Sequence, residues 1–285
     1  MHPILFHLGA FPITSYGAAL TIAFAVGTAV AMRRARQSDL DPERVLETAM
    51  VVLVSALLGA RLFYVVMNPD EFAHVGWLAR LLPFAPDGAY TGVVGLSVMG
   101  GLPLSLLAGY LFLRMRGDPW WPMMDVMAPS VALGAGITRV GCFLNGCCHG
   151  AVCDWPWAVH FPANSLPDTV FPGAALHPTQ LYAAAAGFAI FVILLAYARR
   201  KPPAGSILAA LCIGMGGQRF VIETFRYHTP NESWTLFGGI ESTVYHGVAA
   251  GLVVLGIALL LRATAAQRLS RVPGAGDRAP GVLPT

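Results

Sequence analysis

The sequence predicts an all-α polytopic membrane protein of about seven transmembrane helices with a small outward-facing head region. Three observations carry this expectation. Only 12% of the 285 residues are charged, about half the roughly 25% of a soluble domain. Apolar residues make up 56% of the chain, and its mean hydropathy is +0.62. Apolar stretches of about 20 residues, enough to cross a bilayer, recur along the chain with short connections between them.

The spans are expected at about residues 13–32, 48–67, 92–113, 123–143, 178–198, 205–225 and 241–262. Residues 1–266 then form one transmembrane domain, with outward loops over 68–91 and 144–176. Within the first loop, the stretch around Arg80 reads as an interfacial amphipathic helix. Residues 267–285 are rich in Pro, Gly and Arg and are expected to be a disordered cytoplasmic tail. No basic segment precedes the first span and no small-residue cleavage site follows it, so it reads as a retained helix and not a signal peptide.

The basic residues orient the bundle. Thirteen of the 18 Lys and Arg fall on one side of a seven-span arrangement: Arg33, Arg34, Arg36, Arg44, Arg114, Arg116, Arg199, Arg200, Lys201, Arg262, Arg268, Arg271 and Arg278. The positive-inside rule makes that side cytoplasmic and leaves the N-terminus outside. Insertion accounts for the net charge of +3, so no nucleic-acid partner is expected.

Five arginines remain: Arg61, Arg80, Arg139, Arg219 and Arg226. Apart from Arg80, they lie in or at the outer ends of even-numbered spans, where an arginine costs at least about 2.5–3.5 kcal/mol. One reading is structural, with each arginine snorkelling outward or paired to a carboxylate. Arg219, Glu223 and Arg226 share one helical face and could form such a seam. Arg139 has no carboxylate within four residues on its own helix. The other reading is a phosphate site, because converging guanidiniums suit a bidentate phosphate ligand. The phosphates at that depth belong to lipid headgroups.

Several blocks carry a family resemblance. The fourth span ends in Arg139-Val140-Gly141-Cys142-Phe143-Leu144-Asn145-Gly146-Cys147-Cys148-His149-Gly150. Ser15-Tyr16-Gly17 opens the first span, Gly59-Ala60-Arg61 lies in the second and Met99-Gly100-Gly101-Leu102 in the third. Asp125 with Ala128-Pro129 precedes the main block, and His177-Pro178-Thr179-Gln180-Leu181-Tyr182 opens the fifth span. Arg219-Phe220, Glu223 and Arg226 lie on the sixth. In order and spacing the chain resembles the bacterial prolipoprotein diacylglyceryl transferases. That resemblance implies a multi-pass protein of the bacterial inner membrane. It implies transfer of the diacylglyceryl group of phosphatidylglycerol to the lipobox cysteine thiol of a prolipoprotein, with release of glycerol phosphate and without a cofactor or metal. It further implies Arg139 and Arg219 as catalytic residues holding the leaving phosphate. The substrate-binding residues would be Arg139, Tyr16, Asn145, Gly150, Glu223, Arg226, Gly100 and Gly101.

The chain departs from the family pattern at four positions. Met99 stands where the family has a histidine able to assist thiol deprotonation. Cys142 and Cys147 replace the signature Asn and Glu, and Met215 replaces a tyrosine. Either the base is dispensable, or another group such as His149 or His177 serves, or the protein is a phospholipid-binding or transporting paralogue. The cysteines Cys142, Cys147, Cys148 and Cys153 form a C-x4-C-C-x4-C run. A disulfide from Cys147 or Cys148 to Cys153, packed thiols, a thiol oxidoreductase and a metal site are all open readings. The spacing matches no C-x2-C metal motif. Cys212 lies mid-span and is expected to pack.

Overall fold

The computed structural model describes residues 1–9, 11–72, 97–163, 165–227, 233–236 and 240–270. Seven long helices correspond to the seven expected spans: α1 (Ser15–Arg36), α2 (Pro42–Met67), α3 (Val98–Arg116), α4 (Trp120–Asn145), α6 (Thr179–Ala198), α7 (Ser206–Glu223) and α8 (Val244–Ser270). A five-residue helix α5 (Leu166–Val170) lies between α4 and α6. Among the described residues, six of the long helices are long and apolar enough to cross a membrane; α3, with 19 residues, is the remaining one. Large apolar side chains point away from the protein, with Leu106, Leu107, Val192, Ile193, Val254 and Leu261 all more than half exposed. Water would penalise such a surface and lipid favours it. The protein is an all-α multi-pass membrane protein.

Two expectations shift at the ends of elements. α3 starts at Val98 and runs to Arg116, several residues later than expected. α8 continues through Ser270, so residues 267–270 are helical and not part of a disordered tail. An Arg268 in the last turn suits the negative end of the helix dipole. The expected helix around Arg80 and the rest of the tail lie outside the described residues.

The chain forms two compact units, Thr28–Met123 and Met1–Gly27 with Met124–Thr285. In the first, α2 and α3 pack along a seam of small residues. A Cβ on Gly59 would come 2.5 Å from the Gly100 carbonyl oxygen, and one on Gly101 would come 2.9 Å from that of Ala56. Glycine there lets two backbones approach, which is how apolar helices associate without a hydrophobic driving force. Asp41 caps α2 by accepting from the Glu43 amide at 2.9 Å, with Pro42 in the first turn. α3 stops at Gly117, whose φ of +76° is the left-handed conformation that ends helices. Arg44 Nε binds Asp118 at 2.7 Å, tying the start of α2 to the end of α3. Arg61 is buried and its guanidinium lies 5.2 Å from the Phe72 ring centre, which fits the structural reading of that arginine.

The second unit holds α4, α6, α7 and α8 with the first half of α1. α7 and α8 pack through Gly216, against the Ala249 carbonyl, and Gly256, against that of Ala209. Asp125 on α4 accepts the amides of Gly205 at 2.7 Å and Leu208 at 2.8 Å, capping α7 from a neighbouring helix. Ala128, Ala132, Leu194, Ile207 and Leu211 form the buried core, with Met215 packed against it. Small two-stranded ribbons decorate the helix ends: β1–β2 (Ile4–Leu8, Phe11–Thr14), β3–β4 (Val159–His160, Ala175–Leu176) and β5–β6 (Ser233–Leu236, Ile240–Thr243).

Candidate functional site

The signature block spans the end of α4 and the turn that follows. Asn145 is the last helical residue, and Gly146 at φ +78° lets the chain fold back. The Cys147 amide then bonds the Cys142 carbonyl at 3.1 Å. The next helix clamps this turn. Gln180 Nε2 donates to the Cys147 carbonyl at 2.7 Å, and Thr179 Oγ1 donates to that of Cys148 at 2.9 Å.

Beside this turn lies a small recess lined by Arg139, Cys148, Thr179, Ala183, Gln218, Arg219, Ile222 and Arg226. Three arginines from α4, α7 and the segment after α7 therefore meet in one place. Arg219 pairs with Glu223 at 2.8 Å and lies 5.1 Å from the Tyr245 ring centre. Glu223 is almost wholly buried and also accepts from Thr243 Oγ1 at 3.4 Å. Among the described residues, neither Arg139 nor Arg226 forms an ion pair with a carboxylate, so two of the three charges face the recess uncompensated. Gln218 Oε1 is buried with no hydrogen-bond partner among the described residues.

Gly150 fixes Arg226 through the backbone. Its amide bonds the His177 carbonyl at 3.0 Å, and it bridges directly to Arg226. A Cβ there would lie 2.6 Å from the Phe225 carbonyl oxygen. Only glycine permits that approach, so Gly150 shapes the site without lining it. Tyr16 lies within electrostatic reach of Arg139 and of the thiols of Cys142, Cys147 and Cys148 but does not line the recess. Asn145 reaches the Cys147 thiol. Gly100 and Gly101, expected as substrate contacts, belong to the other unit, where they serve the α2–α3 seam, and Met99 beside them is exposed.

The cysteines arrange differently from the sequence spacing. All five are free thiols, and no bond joins Cys147 or Cys148 to Cys153. Instead the sulfurs of Cys142, Cys147 and Cys148 all lie within 4.8 Å of one another. Cys153 is buried apart from them, its amide bonded to the Ala175 carbonyl at 3.0 Å. Helix α4 runs to Asn145. That brings Cys142, in its last turn, under the returning 147–148 turn. The neighbouring thiols of Cys142 and Cys147, acting as donors, and the charges of Arg139 and Arg226 hold the Cys148 thiol well below its usual range.

The two histidines considered as bases are otherwise engaged. His149 Nδ1 donates to the Gly150 carbonyl at 3.1 Å, and its ring packs edge-on to Phe161 and Phe171. His177 packs among Trp155, Tyr182 and Phe225, and burial pushes its pKa down. Neither lines the recess. Thr179 and Gln218 do, and sequence reading passed over both as site residues. Their only signal was adjacency, Thr179 beside Gln180 and Gln218 beside Arg219.

Fold and recess together define a multi-pass membrane protein with a cationic recess built at the ends of its helices. Comparison with known proteins places it among the transferases. A sequence profile described as prolipoprotein diacylglyceryl transferase matches residues 3–262. A phosphatidylglycerol–prolipoprotein diacylglyceryl transferase of Photobacterium profundum is 33% identical over 269 residues, covering 93% of this chain and 94% of its own. One from Thermosynechococcus vestitus is 30% identical, covering 77% and 79%. The chain belongs to the prolipoprotein diacylglyceryl transferase family.

Proposed function

We propose that the recess binds the phosphate of phosphatidylglycerol and that the protein moves the lipid's diacylglyceryl group onto a prolipoprotein cysteine. The observation that carries this is the meeting of Arg139, Arg219 and Arg226 in one recess, two of them without a carboxylate partner among the described residues. Guanidiniums bind phosphate oxygens bidentately, and such charge-assisted contacts are about twice as strong as neutral ones. Gln218 Oε1 supplies an acceptor for a headgroup hydroxyl. The recess supplies the polar contacts for a headgroup, and the acyl chains are left to the apolar surfaces around it.

In the reaction the acceptor sulfur, as thiolate, attacks the glyceryl carbon that carries the phosphate ester. The carbon–sulfur bond forms as the carbon–oxygen bond breaks, and the electron pair leaves with glycerol phosphate. Negative charge grows on that leaving phosphate, and Arg139 and Arg219 are placed to stabilise it. Such preorganised stabilisation is commonly the largest catalytic contribution. The lipobox thiol as acceptor, the bacterial inner membrane as location, the outward N-terminus and the cytoplasmic C-terminus belong to the same proposal. They rest on the family and on the one-sided Lys and Arg distribution.

The test is transfer from phosphatidylglycerol to a lipobox peptide by purified protein, with complementation of a transferase-depleted bacterium. Diacylglyceryl peptide and free glycerol phosphate in equal amounts are expected. Folded protein that binds the lipid but forms neither product would overturn the transferase reading in favour of a lipid-binding one.

A further inference from the structure

The three sulfurs beside the recess have no role in phosphate binding. Three thiols within 4.8 Å of one another are an odd number, so a disulfide would always strand one of them. A single thiophilic ion uses all three. Sulfurs on one tetrahedral zinc stand about 3.8 Å apart, given zinc–sulfur bonds of about 2.3 Å. Shifts of about half an ångström per side chain would close the present spacing to that value. The supports are in place. Cys142 is held in the last turn of α4 and is buried, while Gln180 and Thr179 fix the backbone of Cys147 and Cys148. Three thiolates around a divalent cation leave one net negative charge, and Arg139 and Arg226 line the same recess as Cys148. Cys148 lines the recess, so a fourth coordination position there would open toward the bound substrate.

We propose that Cys142, Cys147 and Cys148 bind a thiophilic divalent cation of the zinc class, whose open position takes up the acceptor cysteine and delivers it as a thiolate. The transferase reading above is the premise of the second half. The acceptor thiol gives its proton to water on coordination, because a coordinating thiol is deprotonated outright. Its sulfur then forms the thioether and leaves the ion, while glycerol phosphate departs with the electron pair of the broken carbon–oxygen bond. Nothing is oxidised or reduced. This route needs no imidazole at position 99, where the family resemblance leads one to expect a histidine and the chain has methionine.

The test uses full-length protein in detergent, reduced, stripped by a chelator and titrated with Co²⁺ and Zn²⁺. One equivalent of Co²⁺ should produce sulfur-to-cobalt charge-transfer absorption and the ligand-field bands of a tetrahedral site, and Zn²⁺ should displace it. Bound Zn²⁺ should protect Cys142, Cys147 and Cys148 from alkylation, leaving Cys212 at its apo rate. C142S and C147S should each lose the cobalt bands, and C212S should keep them. A lipobox peptide should shift the ligand-field bands, and the same peptide with serine for cysteine should not. Transfer should fall roughly 10²-fold on stripping and return with Zn²⁺. Absence of thiolate bands in reduced, folded protein, bands that survive C142S, or a native disulfide within the trio would each overturn the metal site. Full transfer by stripped protein would overturn its catalytic use and leave the transferase reading standing. Metal binding with no transfer in either state would sink the transferase reading and leave the site.

Discussion

The three recess arginines are not equivalent, and their surroundings decide what each substitution does. Arg139 has no carboxylate partner among the described residues, so Arg139→Ala removes a charge without stranding a buried anion. It should lower transfer roughly 10²–10³-fold with normal membrane insertion, and Arg139→Lys should recover little because a point charge cannot make the bidentate contact. Radiolabelled transfer alongside quantified insertion checks this; near-normal activity of the alanine variant would remove the phosphate site. Arg219→Ala leaves Glu223 buried beside an empty place. It should therefore cost stability as well as transfer, by about 3–5 kcal/mol when a buried pair loses one partner, and unfolding in detergent would separate the two effects. Gly150→Ala tests the backbone route to the site. Its new methyl meets the Phe225 carbonyl and the His177 side chain at 2.6 Å each. Transfer should drop severely although no recess side chain changes, and wild-type activity would mean that the Gly150–Arg226 bridge is unimportant.

At the scale of elements, the unit of Thr28–Met123 depends on the α2–α3 seam. Gly100→Ala would place a methyl 2.2 Å from the Gly59 carbonyl oxygen and from the Phe63 Cβ. Backbone cannot yield as a side-chain end does, so a loss of about 1–3 kcal/mol or more is expected from overpacking. Thermal unfolding in micelles would measure it, and an unchanged midpoint would argue that the seam is loose. Here reading from residues alone went only part of the way. Met99-Gly100-Gly101 was legible as a motif, but its part in a helix seam was not, because a glycine's packing depends on what approaches it. In the structure a neighbouring helix approaches. The cysteine run shows the same limit. The run left a bond from Cys147 or Cys148 to Cys153 open, but helix α4 extends far enough to fold Cys142 under the following turn, and three sulfurs meet there.

The whole molecule raises the question of orientation. Reporter fusions after Arg36, Arg116, Lys201 and Arg271 should read cytoplasmic, and one near Asp168 should read external. A cytoplasmic Asp168 would reverse the protein and put the recess on the wrong side for a secreted acceptor. Membrane class, the number and approximate limits of the long helices and the family were all readable along the chain. Each rests on local quantities, namely apolar run length, charge density and motif order, which need no knowledge of what touches what. The approach of Arg139 to Arg219 and Arg226 and the clamp of Thr179 and Gln180 on the signature turn depend on residues 31 to 87 positions apart. Their meeting depends on how α4, α6 and α7 pack, and that packing is set by small-residue seams such as Gly136 with Gly187 and by the Asp125 cap on α7. The sequence determined which chemistry was carried into the membrane; only the tertiary structure decided which of those groups share a site, because helix packing is a long-range property that no local spacing encodes.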